Sequence, residues 1–113
     1  MFATLPGPGD FPDAVREAGR YVVMVAEKPV SWAWSAREND RAAELAVETA
    51  PPFRRRGYGR QTAAAWGHHV LKRGKVAFYS HASDNLASEA LAQSLGLVQF
   101  ATAAWTWSAA AYE

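Results

Sequence analysis

The stretch Pro51-Pro52-Phe53-Arg54-Arg55-Arg56-Gly57-Tyr58-Gly59-Arg60 divides two different patterns. Before it, Arg41 to Thr49 alternates. Leu45 and Val47 fall on one face and Glu44, Ala46 and Glu48 on the other, which predicts a strand. Ala50-Pro51-Pro52 ends it, because proline cannot continue a central ladder. After the stretch, Ala63, Trp66, Gly67, Val70 and Leu71 recur with the spacing of a helix packed on a sheet, which predicts a helix over Arg60 to Arg73. Lys72 and Arg73 lie in its last turn, where the dipole favours cations, and Gly74 supplies the stop.

The loop between them suits a phosphate. A helix start offers backbone N–H groups with no internal partner, and the dipole adds positive potential there. Gly57 and Gly59 lack Cβ atoms, so the backbone can turn sharply and approach phosphate oxygens. Arg54, Arg55, Arg56 and Arg60 can add charge-assisted bonds. Longer glycine signatures are absent: position 62 is threonine, and there is no Walker lysine. An exposed basic turn is the plain alternative reading.

Working outward, residues 1–20 read as an irregular arm. Prolines 6, 8 and 12 each fix φ, and Asp13 to Ala18 reads as a short helical turn closed by Gly19. Tyr21 to Ala26 and Ser31 to Ala36 read as a hairpin around Glu27-Lys28-Pro29, with Trp32 and Trp34 sharing a face. Val76 to Ser80 is a further strand. Ser83-Asp84-Asn85 offers capping oxygens for a second helix ending near Leu95, with Ala87, Ala90, Leu91 and Leu95 inward. Leu97 to Trp107 is a final strand or bent pair. The order is β-β-β-α-β-α-β in a single domain spanning 1–113.

Composition bounds the function. The chain has 113 residues and a net charge of +1, with half of its residues hydrophobic. That allows one core and argues against a long polyanionic partner, so no nucleic acid is expected. A stacking and phosphate-binding role for Tyr58 and the arginines is the rival that this charge balance disfavours. No cysteine is present, which excludes disulfides, thiolate nucleophiles and cysteine metal sites. His68 and His69 are neighbours expected to point apart on a polar face, so no metal is expected. Residues 1–6 lack the pattern of a signal peptide, and no apolar run approaches a membrane span. A cytoplasmic protein with no membrane partner is expected.

Two motifs carry a resemblance. Val47-Glu48-Thr49-Ala50-Pro51-Pro52-Phe53-Arg54-Arg55-Arg56-Gly57-Tyr58-Gly59 resembles the cofactor loop of the GNAT superfamily of acyl-CoA-dependent N-acyltransferases. Downstream, Asn85, Ser88, Leu91, Ala92 and Leu95-Gly96-Leu97 match a second GNAT pattern in the correct order. The resemblance implies an α/β (α+β) fold with a mixed, mostly antiparallel twisted sheet and two main helices. It implies acetyl transfer from acetyl-CoA to a primary amine, of a small molecule or a protein. A non-catalytic acyl-CoA-binding module of reduced GNAT fold is the alternative. By the same resemblance, the backbone of Val47, Glu48 and Thr49 bonds the pantetheine arm. Arg54, Arg55, Arg56, Gly57, Tyr58, Gly59 and Arg60 hold the pyrophosphate, and Asn85 and Ser88 lie along the cofactor arm. The acyl group is expected where strands ending near Thr49 and Ser80 splay apart.

The acceptor amine needs a base within hydrogen-bond or one-water reach. Glu44, Glu48 and His81 are the candidates, each equally placed as an ordinary surface or capping residue. Family members often carry a tyrosine acid where this chain has Ala92; Tyr58 is a poor substitute, and Tyr79 lies close to the splay. The family's usual strand and two helices before the hairpin have no counterpart ahead of Tyr21. Trp32, Trp34, Trp105 and Trp107 belong by default in the core, and so short a chain leads us to expect some of them in a homodimer interface.

Overall fold

The computed structural model describes residues 5–82 and 84–107, so Ser83 and the Ala109-Ala110-Ala111 tail lie outside the described residues. Its elements are β1 (Ala14–Glu17), β2 (Arg20–Val25), β3 (Lys28–Glu38), β4 (Ala42–Thr49), α1 (Tyr58–Lys72), β5 (Val76–Ser80), α2 (Leu86–Ser94), β6 (Val98–Ala101) and β7 (Ala104–Thr106). The strands form one sheet in the order β1-β2-β3-β4-β5-β7-β6. Only β4 and β5 run parallel; every other neighbouring pair is antiparallel. The expected mixed, mostly antiparallel sheet with two main helices is therefore the observed one.

The N-terminal reading needs correction. Asp13 to Ala18 is not a helical turn, and the arm is not irregular as far as residue 20. Val15 pairs with Val22 and Arg16 with Tyr21 across a hairpin. Ala18 and Gly19 both have positive φ, 51° and 78°, the backbone that matches the twist of a two-residue hairpin. The glycine closes a strand pair and not a helix. The next turn is Ala26-Glu27, also at positive φ. Lys28 and Pro29 already belong to β3, with Pro29 opposite Met24 at a register shift, where a missing N–H is tolerated.

Both helices pack on one face of the sheet. Ala63, Ala64, Trp66 and Val70 of α1 share a core with Ala92 and Leu95 at the end of α2, and with Tyr79, Trp105 and Trp107. Two right-handed crossovers that step the same way across a sheet bring this about. The inner face of α2 departs from expectation: Ala87 and Ala90 are exposed, and Ala92 is buried. Trp105 and Trp107 are core residues, whereas Trp32 and Trp34 are half-buried on β3. His68 and His69 do not point apart into solvent. Their rings meet edge-on at 5.2 Å, His68 against the carbonyl of Pro6 and the ring of Phe11, and His69 stacked on Tyr21. They fasten the N-terminal segment to α1, as does the reciprocal pair of bonds between Asp13 and Gln61.

The end of the sheet remote from the arginine loop is closed by charge. Glu38 accepts bonds from Arg73, Lys75 and Ser35, which lower its pKa from 4.5 to about 2. A depressed carboxylate contributes stability above its unfolded pKa and loses it as pH falls. Stability is therefore expected to decline between about pH 4.5 and 2 on this account. Glu38→Gln should unfold more easily at neutral pH and show a shallower decline over that window, read by denaturant titration at several pH values.

Candidate functional site

The sheet opens at its single parallel junction. β4 and β5 pair at Ala42–Val76, Ala43–Ala77 and Glu44–Phe78, and there the pairing stops. β4 runs on to Thr49 with β3 on one side and no strand on the other. β5 runs on to Ser80 beside β7. Alternate backbone groups of residues 45–49 thus face a gap, as at a sheet edge. Both helices start beyond the carboxyl ends of these parallel strands, the end where open α/β sheets take ligands.

The arginine loop borders this gap. Gly57, at φ 83°, is the N-cap of α1, and no side chain caps that helix. Arg54 N–H bonds Pro51, and Gln61 N–H bonds Gly57. Between them, the N–H groups of residues 55–60 have no acceptor among the described residues. Arg54 Nε bonds the Thr49 carbonyl, Arg56 lies over the Phe53 ring, and Arg60 Nε bonds the Ser94 carbonyl. No carboxylate pairs with any of the four arginines among the described residues. The loop therefore offers a helix start and positive charge with no protein acceptor among the described residues.

The two glycines have different duties. A Cβ on Gly57 would meet nothing, so its role is the left-handed backbone. A Cβ on Gly59 would lie 3.1 Å from Thr49 Oγ1. Gly59 therefore lets α1 sit close on β4. The hydroxyls of Ser31, Thr49 and Thr62 join β3, β4 and α1 at this point, with Thr62 bonded on to the Gly59 carbonyl.

The three base candidates differ sharply. Glu44 is buried, with Oε1 2.7 Å from Arg37 Nε and Oε2 2.5 Å from Ser80 Oγ. The bond from Arg37 holds its carboxyl below the ordinary range, against the opposing effect of burial. It ties β4 to β5 just where their ladder ends. His81 receives the Trp105 indole N–H on Nε2, and its Nδ1–H reaches the Ala82 carbonyl. Glu48 is exposed on the splayed part of β4, with no side-chain partner among the described residues. Tyr79 points into the core. Burial raises its pKa, against a hydrogen bond with Ser88 in the first turn of α2. Its hydroxyl therefore stays protonated and can donate.

A family model described as GNAT acetyltransferase matches residues 12–102. The chain belongs to the GNAT acetyltransferase family. A GNAT-family structure from Novosphingobium aromaticivorans aligns with TM-score 0.65 at 27% identity, covering 77% of this chain and 39% of that one. The ribosomal-protein-S18-alanine N-acetyltransferase of Escherichia coli aligns with TM-score 0.61 at 22% identity, covering 76% of this chain and 57% of the other. YncA of Salmonella typhimurium, solved with its cofactor acetyl-CoA, aligns with TM-score 0.61 at 23% identity, covering 77% and 60%. The likeness to the last two is one of fold, and this chain spans less than two thirds of each of the three. No curated protein matches it.

Within the GNAT frame, the expected cofactor residues of β4 and the arginine loop lie along one border of the gap, and Asn85 and Ser88 lie at the start of α2. Val47, Glu48 and Thr49 form its β4 edge, and residues 54–60 turn from that edge into α1. Asn85 caps α2 by accepting from Ser88 N–H at 3.0 Å. Ala92, at the usual tyrosine position, is fully buried and reaches no solvent-facing group. Sequence reasoning missed the partners that restrain the titratable groups, Arg37, Ser80 and Trp105. Arg37 stands opposite Glu44 across the β3–β4 hairpin, and that register is the signal that could have found it.

Proposed function

We propose that this GNAT chain transfers an acetyl group from acetyl-CoA to a primary amine. The observation that carries the reading is the unsatisfied run of N–H groups at 55–60 beside four arginines with no carboxylate, at the mouth of the splayed strands. Six donors in sequence and uncompensated positive charge match a pyrophosphate. The open β4 edge suits an amide-bearing arm, which can bond there as an added strand does. The amine nitrogen bonds to the thioester carbonyl carbon, the C–S bond breaks, and the sulfur leaves as thiolate. Glu48 takes the amine proton, since its carboxylate alone among the three candidates is unengaged. Glu44 and His81 act as positioning residues.

Thermal unfolding with and without acetyl-CoA tests the cofactor site. At about 100 times Kd, a specific ligand adds about 2.7 kcal/mol of stability. A shift reproduced by CoA but not by AMP supports the reading, and no shift overturns it. Glu48→Gln is expected to lower kcat by a factor of about 100 or more with CoA affinity unchanged; an unaltered rate would remove Glu48 from the mechanism.

A second reading, a module that holds acyl-CoA without turnover, is favoured by the restraint on Glu44 and His81. CoA binding with no thiol release across a broad panel of primary amines would select it.

A further inference from the structure

A cavity of about 790 Å³ lies at the other end of α1 from the arginine loop. The helix has 15 residues, so the two places are separated by roughly 20 Å along its axis. The cavity opens where β2 begins at Arg20 while β3 runs on to Glu38, beside the Ala18-Gly19 turn. Its volume falls within the range of small-molecule sites.

The lining combines rings and uncompensated cations. Trp34 is half-buried and makes no ring contact among the described residues. Arg20 lies 5.8 Å over Trp32, Tyr21 stacks on His69 at 5.0 Å, and Trp66 is fixed by its indole bond to Ser35. Arg16, Lys72 and Arg73 converge on His69, whose pKa is lowered first by burial and then by His68 and these cations. The one carboxylate in the lining, Glu38, is already bonded to Arg73 and Lys75. Arg16, Arg20 and Lys72 have no acidic partner among the described residues. Arg16, Arg20 and Lys72, left without acidic partners in a half-enclosed space, attract an anion, and the open face of Trp34 attracts a flat ring.

We propose that this cavity is a second ligand site, distinct from the acyl-transfer cleft, which takes a flat aromatic molecule bearing a carboxylate or phosphate. The ring lies against Trp34, and the anionic group faces Arg16 and Lys72. Such a site places a small-molecule signal at the far end of the helix that begins at the cofactor loop.

The test is calorimetric titration of the intact chain with 2-naphthoate, 2-naphthol and inorganic phosphate, each with and without saturating CoA. The expected result is one naphthoate site that CoA does not displace, at least about tenfold tighter than naphthol or phosphate alone and weakened by added salt. Arg16→Glu combined with Lys72→Glu should abolish naphthoate binding and leave CoA binding unchanged, with the chain still folded by circular dichroism. Trp34→Ala should weaken naphthoate and not phosphate. Equal affinity for naphthol, displacement by CoA, or insensitivity to the charge reversals would each overturn the proposal. Loss of CoA binding in the wild-type chain would overturn the acetyltransferase reading alone.

Discussion

Arg55→Glu combined with Arg56→Glu is expected to lower CoA affinity by a factor of about 100 to 10,000. Each hydrogen bond to a charged group contributes about 1.5–3 kcal/mol, and about 1.4 kcal/mol is tenfold in affinity. Both side chains are exposed; Arg55 has no partner among the described residues, and Arg56 only lies over Phe53. The fold should therefore be untouched, and circular dichroism and melting temperature without ligand should match the wild type. Affinity read by titration, with its salt dependence, decides the matter. If the variant binds CoA as tightly as the wild type, the open N–H groups of 55–60 are not the phosphate site. Lysine at both positions should restore part of the affinity, because the charge returns without the planar fork.

Trp107→Ala should be the most damaging single truncation in the core. The indole is fully buried, 5.9 Å from the ring of Trp66. It lies so close to α1 that a Cβ built on Gly67 would stand 2.7 Å from the ring. Removing a buried tryptophan costs about 3–5 kcal/mol, a large share of the 5–15 kcal/mol that holds a domain together. A fall of about 15 °C or more in Tm is expected. Gly67→Ala alone should cost about 1–3 kcal/mol by overpacking. In the Trp107→Ala background the same alanine should cost nothing, because its obstacle has gone. Additive costs in that double-mutant cycle would mean that the indole does not rest on Gly67.

The parts of the chain that were legible in the sequence are those where one residue type has one physical use. Pro51-Pro52 could only end a strand, Gly74 could only stop a helix, and the stripe through Trp66 and Val70 could only face a sheet. The arginine loop was legible for the same reason, since its charge had no acids nearby in the sequence to meet it. The first hairpin was not legible because Ala18, an ordinary helix former, takes the left-handed backbone. The inner face of α2 was misjudged because alanine buries and exposes at almost equal cost, and alanines and serines lie on both sides of Leu91. The duty of Gly59 depends on the approach of Thr49, and the state of Glu44 depends on a register shift between Ser35 and Arg37 that brings Arg37 opposite it. Neither is a local property of sequence.

The junction of β4 and β5 rests on three residue pairs between strands separated by α1; β5 and β7 also meet at three pairs, whereas β3–β4 and β6–β7 are joined by short turns. The sheet is in this sense two independently wound halves, one of four strands and one of three, connected through the α1 crossover. Local contacts form early and long-range parallel ones late, so each half should take shape before the two meet. The junction is then the last place to close and the first to breathe. In amide exchange, Ala43 and Ala77 should open at lower free energy than the strand centres on either side. A molecule that bridges the two halves at this point stiffens the joint on which the whole sheet depends.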